Sequence, residues 1–157
     1  MGRRHGWTKA AFQASGPSAL KVVAAEFPKL HFIIFCSDPG TADEVARALA
    51  HELGRTVDRH DPQNDAWRGF GEDPERSILV CDARAEEGLN LQGGKKVVVH
   101  FDLPLNPNRI EQRLGRADRY GSGEAVRSIV LCCQDDPLEV AWSAYVDGAL
   151  RVFDRSI

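Results

Sequence analysis

The sequence predicts an α/β fold with a mainly parallel central sheet covered on both faces. Short apolar runs rich in branched and aromatic residues (HFIIFC, SILVC, VVVHF and RSIVLC) recur along the chain and read as buried strands. Amphipathic stretches with capping residues separate them and read as helices. Strands that alternate with helices form a parallel sheet between helical layers, because each crossover returns the chain over one face.

The elements follow in order. Residues 1–16 show no sustained period and end in SGP, which predicts that 1–17 is a linker or expression remnant and 18–157 the domain. Ser18 to Phe27 reads as a helix, and HFIIFC as the first strand. In SDPGTADEVARALAHELG, Ser37 and Asp38 are cap candidates, Pro39 suits a first turn and Gly54 a helix end. Asp43 and Glu44 lie near the positive end of that helix dipole. A weak strand is expected over Thr56 to Arg59, then a short helix near Trp67. SILVC, VVVHF and RSIVLC are the later strands. Between the last two, a helix is predicted from Pro107 to Tyr120 with Asn106 as its cap. A final helix is predicted from Pro137 to Phe153, and its unbroken apolar pattern suggests a gene product that continues past Ile157.

Composition narrows the class. The chain has 157 residues, 43% apolar and 27% charged, enough for one domain with a real core. Its net charge of -3 excludes a polybasic binder that works through a global positive field. Cys36, Cys81, Cys132 and Cys133 form no C-x-x-C pair and end apolar runs, so they read as small buried residues rather than a disulfide frame or zinc site. No metal ligand set is expected. No apolar run approaches the roughly 18 residues that span a membrane, and MGRRHGW lacks the apolar stretch of a signal peptide. The expected location is cytoplasmic, with no membrane partner.

Ligands of parallel sheets gather at the carboxyl ends of the strands. After VVVHF comes LPLNPNRIEQRLGRADRYG. At about 100° per residue, Arg109, Gln112, Arg116 and Arg119 share a sector of roughly 80°. Ile110, Leu114 and Ala117 point the opposite way, toward the sheet. Guanidiniums stay charged and grip phosphate oxygens as a fork, so such a row suits an anion whose charge grows in a transition state. Taken alone, the same row is more commonly a solvated basic face paired with Glu111, Asp118 or Glu124. The surrounding sequence favours the anion.

QRLGRADR, Gln112 to Arg119, resembles motif VI of superfamily 2 helicases. ILVCDARAEEGLNLQ, Ile78 to Gln92, resembles motif V in its Swi/Snf form, and FIIFCSDPGTADEVARAL resembles motif IV with its helix. DLPLNPNRIEQRLGRADRYG and AYVDGALRVFDRSI look like the bacterial RapA-like branch of the Swi/Snf group. The resemblance covers about Leu30 to Ile157. It implies a RecA-like three-layer sandwich, the second lobe of a two-lobe ATPase. Arg116 and Arg119 would be the fingers that reach the ATP γ-phosphate, with Gln112, Glu87, Gly88 and Asn90 on the nucleotide side. Ser37, Asp82 and Arg84 would lie on the nucleic-acid side. Arg84 is outside the common pattern and either meets a phosphate or pairs with Glu86 or Glu87. Ala85 stands where many relatives have glycine, and Gly121-Ser122 replaces the usual Gly-Gln.

A nucleotide motor also needs a phosphate-cradling loop and an acidic metal ligand. GLNLQGGKK fails the loop pattern, since Gly94 stands where lysine is required and a strand follows. In the family both features belong to the first lobe. The resemblance therefore implies ATP and Mg2+ in the full-length protein, bound mainly by an N-terminal lobe, and a fragment that does not hydrolyse ATP alone. The implied partners are that lobe, nucleic acid (double-stranded DNA for this group), and RNA polymerase or another protein–DNA complex. The competing reading is a non-catalytic RecA-like module that binds nucleic acid or protein. No Ser–His–Asp set or dinucleotide fingerprint supports a small-molecule enzyme. His5, His31, His51, His60 and His100 are scattered, and His100 is read as structural.

Overall fold

Parallel pairing runs through the whole sheet. The computed structural model describes residues 7–9, 17–26, 28–91, 96–117, 127–150 and 152. Among these, six strands are present: β1 (Trp7–Lys9), β2 (His31–Phe35), β3 (Asp58–Arg59), β4 (Ile78–Cys81), β5 (Lys96–His100) and β6 (Arg127–Val130). They lie in the order β1-β6-β5-β2-β4-β3, and every pair is parallel. The four apolar runs are strands as expected. The weak strand shortens to Asp58–Arg59. One expectation is corrected: Trp7–Lys9, inside the stretch read as a linker, pairs with Ser128–Val130 as an edge strand. Three residues are too short to show a period, so no pattern announced it.

The helices are α1 (Pro17–Glu26), α2 (Pro39–Leu53), α3 (Gly69–Glu72), α4 (Pro107–Ala117) and α5 (Pro137–Gly148). Asp38, not Ser37, caps α2: its side chain accepts from the Thr41 N–H at 2.9 Å. Gly54 closes that helix at φ 61°, a left-handed conformation that costs glycine little. Asn106 precedes α4, and its side-chain oxygen accepts from the Asn108 N–H at 3.0 Å. The part of the α4 prediction over 118–120 lies outside the described residues. Helix α5 stops short of the expected Phe153. After Gly148 the chain turns, and the Val152 N–H reaches Val146 O at 3.4 Å, which brings Val152 under the helix into a small apolar cluster.

Side-chain alternation along β2 shows how the sheet is covered. Phe32, Ile34 and Cys36 pack with Leu20, Val23, Val45 and Leu49 of α1 and α2. Ile33 and Phe35 face the other way, with Leu79, Cys81 and Val98, toward Phe70, Leu89, Leu91 and Ala117. Ile110, Val130, Val146 and Val152 complete the second layer. Burying each such side chain contributes roughly 1.5–3 kcal/mol, so both faces are held by the same force. Cys36, Cys81 and Cys132 are buried and Cys133 is half-buried. Burial pushes the Cys36 thiol up to about 12, so it stays protonated and serves as packing. Among the described residues, no helix is long and apolar enough to cross a membrane.

Candidate functional site

Strands β5, β2 and β4 are neighbours, so the residues just after them share one edge of the sheet. These are Asp102, Ser37 and Asp82, and the chain beyond Asp82 supplies Glu86. Ser37 faces Asp102: its N–H donates to Oδ2 at 2.9 Å and its hydroxyl donates to Oδ1. The sequence placed Ser37 at nucleic acid; here its polar atoms join the turn before α2 to the turn before α4.

Asp82 opens the 3₁₀ turn Ala83–Ala85 by accepting from the Arg84 N–H at 2.9 Å. Its carboxylate, fully buried, also accepts from Arg59 Nη2 at 2.5 Å and Arg84 Nη2 at 2.7 Å. Burial works to raise the Asp82 pKa, but the bonds from Arg84 and Arg59 prevail and hold it well below the usual carboxylate range. Arg84 therefore pairs with Asp82, two residues back, rather than with Glu86 or Glu87. Its side chain remains 48% exposed, so it is the most exposed member of the expected nucleic-acid set, with Ser37 half-buried and Asp82 buried. Ala85 is fully buried beneath it.

A second buried carboxylate repeats the arrangement one turn later. Glu86 is 3% exposed. Arg109 forks onto it, Nε to Oε2 at 2.7 Å and Nη2 to Oε1 at 3.0 Å. Arg113 adds Nε to Oε1 at 2.8 Å. The Arg113 Nη1 donates to Asp102 O at 2.7 Å, and Nη2 reaches Ser37 Oγ at 3.4 Å and Asp102 Oδ1 at 3.5 Å. Its guanidinium carbon sits 5.5 Å from the centre of the Phe35 ring. Arg113 has no exposed surface at all, yet each of its side-chain nitrogens has a partner, which is what permits a buried charge.

This corrects the helical-wheel expectation for Arg109. It does not stand in the anion-facing row but turns back to Glu86. Ile110 and Ala117 are buried as predicted, with Leu114 half-buried against the core. Arg113 belongs to the same i, i+3, i+4, i+7 stripe (Ile110, Arg113, Leu114, Ala117), and that spacing was the available signal for a buried arginine.

Arg116 behaves differently. It is half-buried, with Nε 3.3 Å from Gln112 O and Nη1 3.4 Å from Leu89 O. Among the described residues it pairs with no carboxylate. Gln112, Glu87, Gly88 and Asn90 are all exposed, and Gly88 has φ 77°. Leu89 and Leu91 anchor the segment in the core, and the Leu91 N–H bonds to Arg116 O at 3.0 Å. Glu87, Gly88 and Asn90 thus lie along one exposed segment tied to the end of α4, and Gln112 lies on α4 itself. Arg119 lies outside the described residues. His100, read as structural, is fully buried with Nε2 3.1 Å from Ser128 Oγ. Among the described residues no group of three His, Cys, Asp or Glu side chains is arranged to hold a metal ion.

The family model of the helicase conserved C-terminal domain matches residues 29–121, the stretch that holds this whole arrangement. The chain belongs to that family. Within it the relatives are RapA-like. RNA polymerase-associated protein RapA of Sodalis glossinidius is 34% identical over 134 residues, which cover 79% of this chain and 13% of the relative. The Haemophilus influenzae protein of the same name is 30% identical over 147 residues, covering 83% of this chain and 15% of the relative. The chain thus spans a small part of the length of these relatives. Solved helicase lobes share the fold. The C-terminal part of the Fun30 ATPase domain superimposes with a TM-score of 0.68 at 22% identity, covering 88% of this chain and 48% of that one. The E. coli DEAD-box protein SrmB, solved bound to the regulator of ribonuclease activity RraA, gives 0.63 at 21% identity, covering 88% of this chain and 83% of that one. The RecA-like architecture expected from the motifs is the observed one, and the chain carries a helicase C-terminal domain similar in sequence to part of RapA.

Proposed function

We propose that this helicase domain is the second lobe of an ATP-driven translocase and supplies Arg116 and Arg119 to ATP bound mainly on an N-terminal lobe. The observation that carries the reading is the contrast along α4. Arg109 and Arg113 both pair with the buried Glu86, whereas among the described residues Arg116 meets only two backbone carbonyls, at 3.3 and 3.4 Å. A rigidly mounted guanidinium without a carboxylate partner is suited to charge that develops on a transferring phosphoryl group. Gln112, Glu87, Gly88 and Asn90 would face the nucleotide. Mg2+, which would neutralise charge on the phosphates, would be held elsewhere: Asp82, Glu86 and Asp102, the carboxylates gathered beyond β4 and β5, are engaged by arginines or Ser37. The isolated domain would then be inactive.

Arg84 would contact the nucleic-acid backbone, with Ser37 and Asp82 shaping the surface behind it. Double-stranded DNA is the expected track, and lobe closure on ATP would move it stepwise. The relatives' name, RNA polymerase-associated protein, supports RNA polymerase as a partner and a cytoplasmic site of action.

The test is ATP turnover by the full-length protein, with and without double-stranded DNA, beside an Arg116→Ala variant. Loss of a finger lowers turnover by about 10³ or more while DNA affinity persists. Unchanged turnover in the variant, or loss of DNA affinity in proportion to the charge removed, favours the non-catalytic binding module.

A further inference from the structure

Among the described residues, polar contacts at two places join α4 to the segment between β4 and β5. At one end Glu86 holds Arg109 and Arg113. At the other, the Leu91 N–H bonds to Arg116 O at 3.0 Å and Arg116 Nη1 approaches Leu89 O at 3.4 Å. Arg109 and Arg116 are about 10 Å apart along the helix at 1.5 Å per residue. A helix braced at two points so far apart cannot rock about either one. With the Glu86 end released, α4 keeps its apolar packing, but the polar tie to this segment that remains lies at Arg116 itself.

The same segment begins with the exposed Arg84, fastened through its own backbone and side chain to Asp82. Arg84 and Arg116 therefore ride on one braced unit, and Glu86 lies between them in the chain. The brace is electrostatic as well as geometric. Arg109 is 31% exposed and can swing into water when its partner is lost. Arg113 is enclosed by Phe35, Asp102 and Ser37 and cannot.

We propose that Glu86 and Arg113 are positioning residues that transmit nucleic-acid contact at the Arg84 segment to the placement of Arg116. This rests on the motor reading above. Neither residue touches nucleotide or nucleic acid; each acts by fixing where α4 stands. The dependence is steep, since displacing a reacting group by about 1 Å can cost about 10² in rate.

The experiment compares wild type, Glu86→Gln, the Glu86→Gln/Arg113→Met double variant and Arg116→Ala in the full-length protein. The readout is the ratio of turnover at saturating double-stranded DNA to turnover without DNA, with the DNA titration midpoint and Tm measured in parallel. The ratio is independent of how much of a sample is folded, so partial unfolding does not imitate the effect. The double variant replaces the buried charges with apolar and neutral groups, which restores packing without restoring the brace.

The expected result is a ratio that falls toward one in both Glu86 variants, at a DNA midpoint within about twofold of wild type, with Tm recovered in the double variant. An unchanged ratio in both overturns the proposal. So does a ratio that recovers together with Tm in the double variant, which would make the cluster a folding element only. If Arg116→Ala keeps wild-type turnover, the motor reading itself fails. If Arg116→Ala abolishes turnover while the Glu86 variants keep the wild-type ratio, only the brace fails.

Discussion

Arg113 and Glu86 stand 27 residues apart in sequence and meet through a 2.8 Å bond from Nε to Oε1, both of them buried. Removing one member of such a pair leaves an uncompensated charge in the interior, at a cost of about 3–5 kcal/mol. Arg113→Ala is therefore expected to be among the most destabilising substitutions in the protein. Urea unfolding of the two single variants and the double gives a coupling energy of about 1 kcal/mol or more between them. The exposed pair Lys21–Glu52, at 3.3 Å, serves as the control and couples weakly. Equal coupling in the two pairs would contradict the buried geometry.

His100 makes stability depend on pH. Burial, with Arg113 nearby, pushes its pKa down to about 3 from the ordinary 6.5. The unfolded chain therefore takes up a proton that the folded chain refuses, and the folded state is favoured as pH rises. This contribution is fully present above about 6.5 and is lost as pH falls from there toward about 3. His100→Gln keeps a group able to reach Ser128 but cannot titrate. Unfolding midpoints measured between those limits should decline less steeply for the variant than for wild type; parallel curves would show that His100 is already protonated when folded.

Asp82 acts in a lower window. Its pKa is held below the ordinary carboxylate value by Arg84 and Arg59 against the effect of burial. Its contribution is thus present above the unfolded value of about 3.9 and disappears as pH falls through the lower folded value. Asp82→Asn is expected to be less stable than wild type at neutral pH and to approach it as acid is added. A constant difference across the acid range would contradict the assignment.

Two glycines provide a matched comparison. Gly54 and Gly88 have φ of 61° and 77°, and a Cβ on either meets nothing within 4 Å. Alanine at each position should cost on the order of 1–2 kcal/mol of stability through backbone strain alone. Only Gly88, on the exposed segment next to Asn90, is expected to affect ATP turnover in the full-length protein. Equal effects of Gly54→Ala and Gly88→Ala on turnover would remove Gly88 from the nucleotide side.

The order of strands and helices was legible because its causes are local. HFIIFC, SILVC, VVVHF and RSIVLC are apolar enough to be buried on both faces wherever they lie, and Asp38, Pro39, Gly54 and Asn106 act within one turn of the chain. The motif residues were legible for the same reason, since Gln112 and Arg116 are one helical turn apart and share a face in any α-helix. Trp7–Lys9 was not, because an edge strand of three residues is defined by the partner it finds in β6.

What the sequence determined by itself was therefore the alternating α/β pattern, the family motifs and the helix that carries them. The tertiary structure alone decided the state of Arg109, Arg113 and Arg116 on that helix. A wheel assigns faces from spacing but does not show what lies opposite. Glu86, brought from 23 residues away to Arg109 and 27 to Arg113, turned one arginine inward and buried another, and left Arg116 with two carbonyl contacts and no carboxylate among the described residues. Charge pairing in an interior is set by distance in space, and only the folded chain brings Glu86 to that distance.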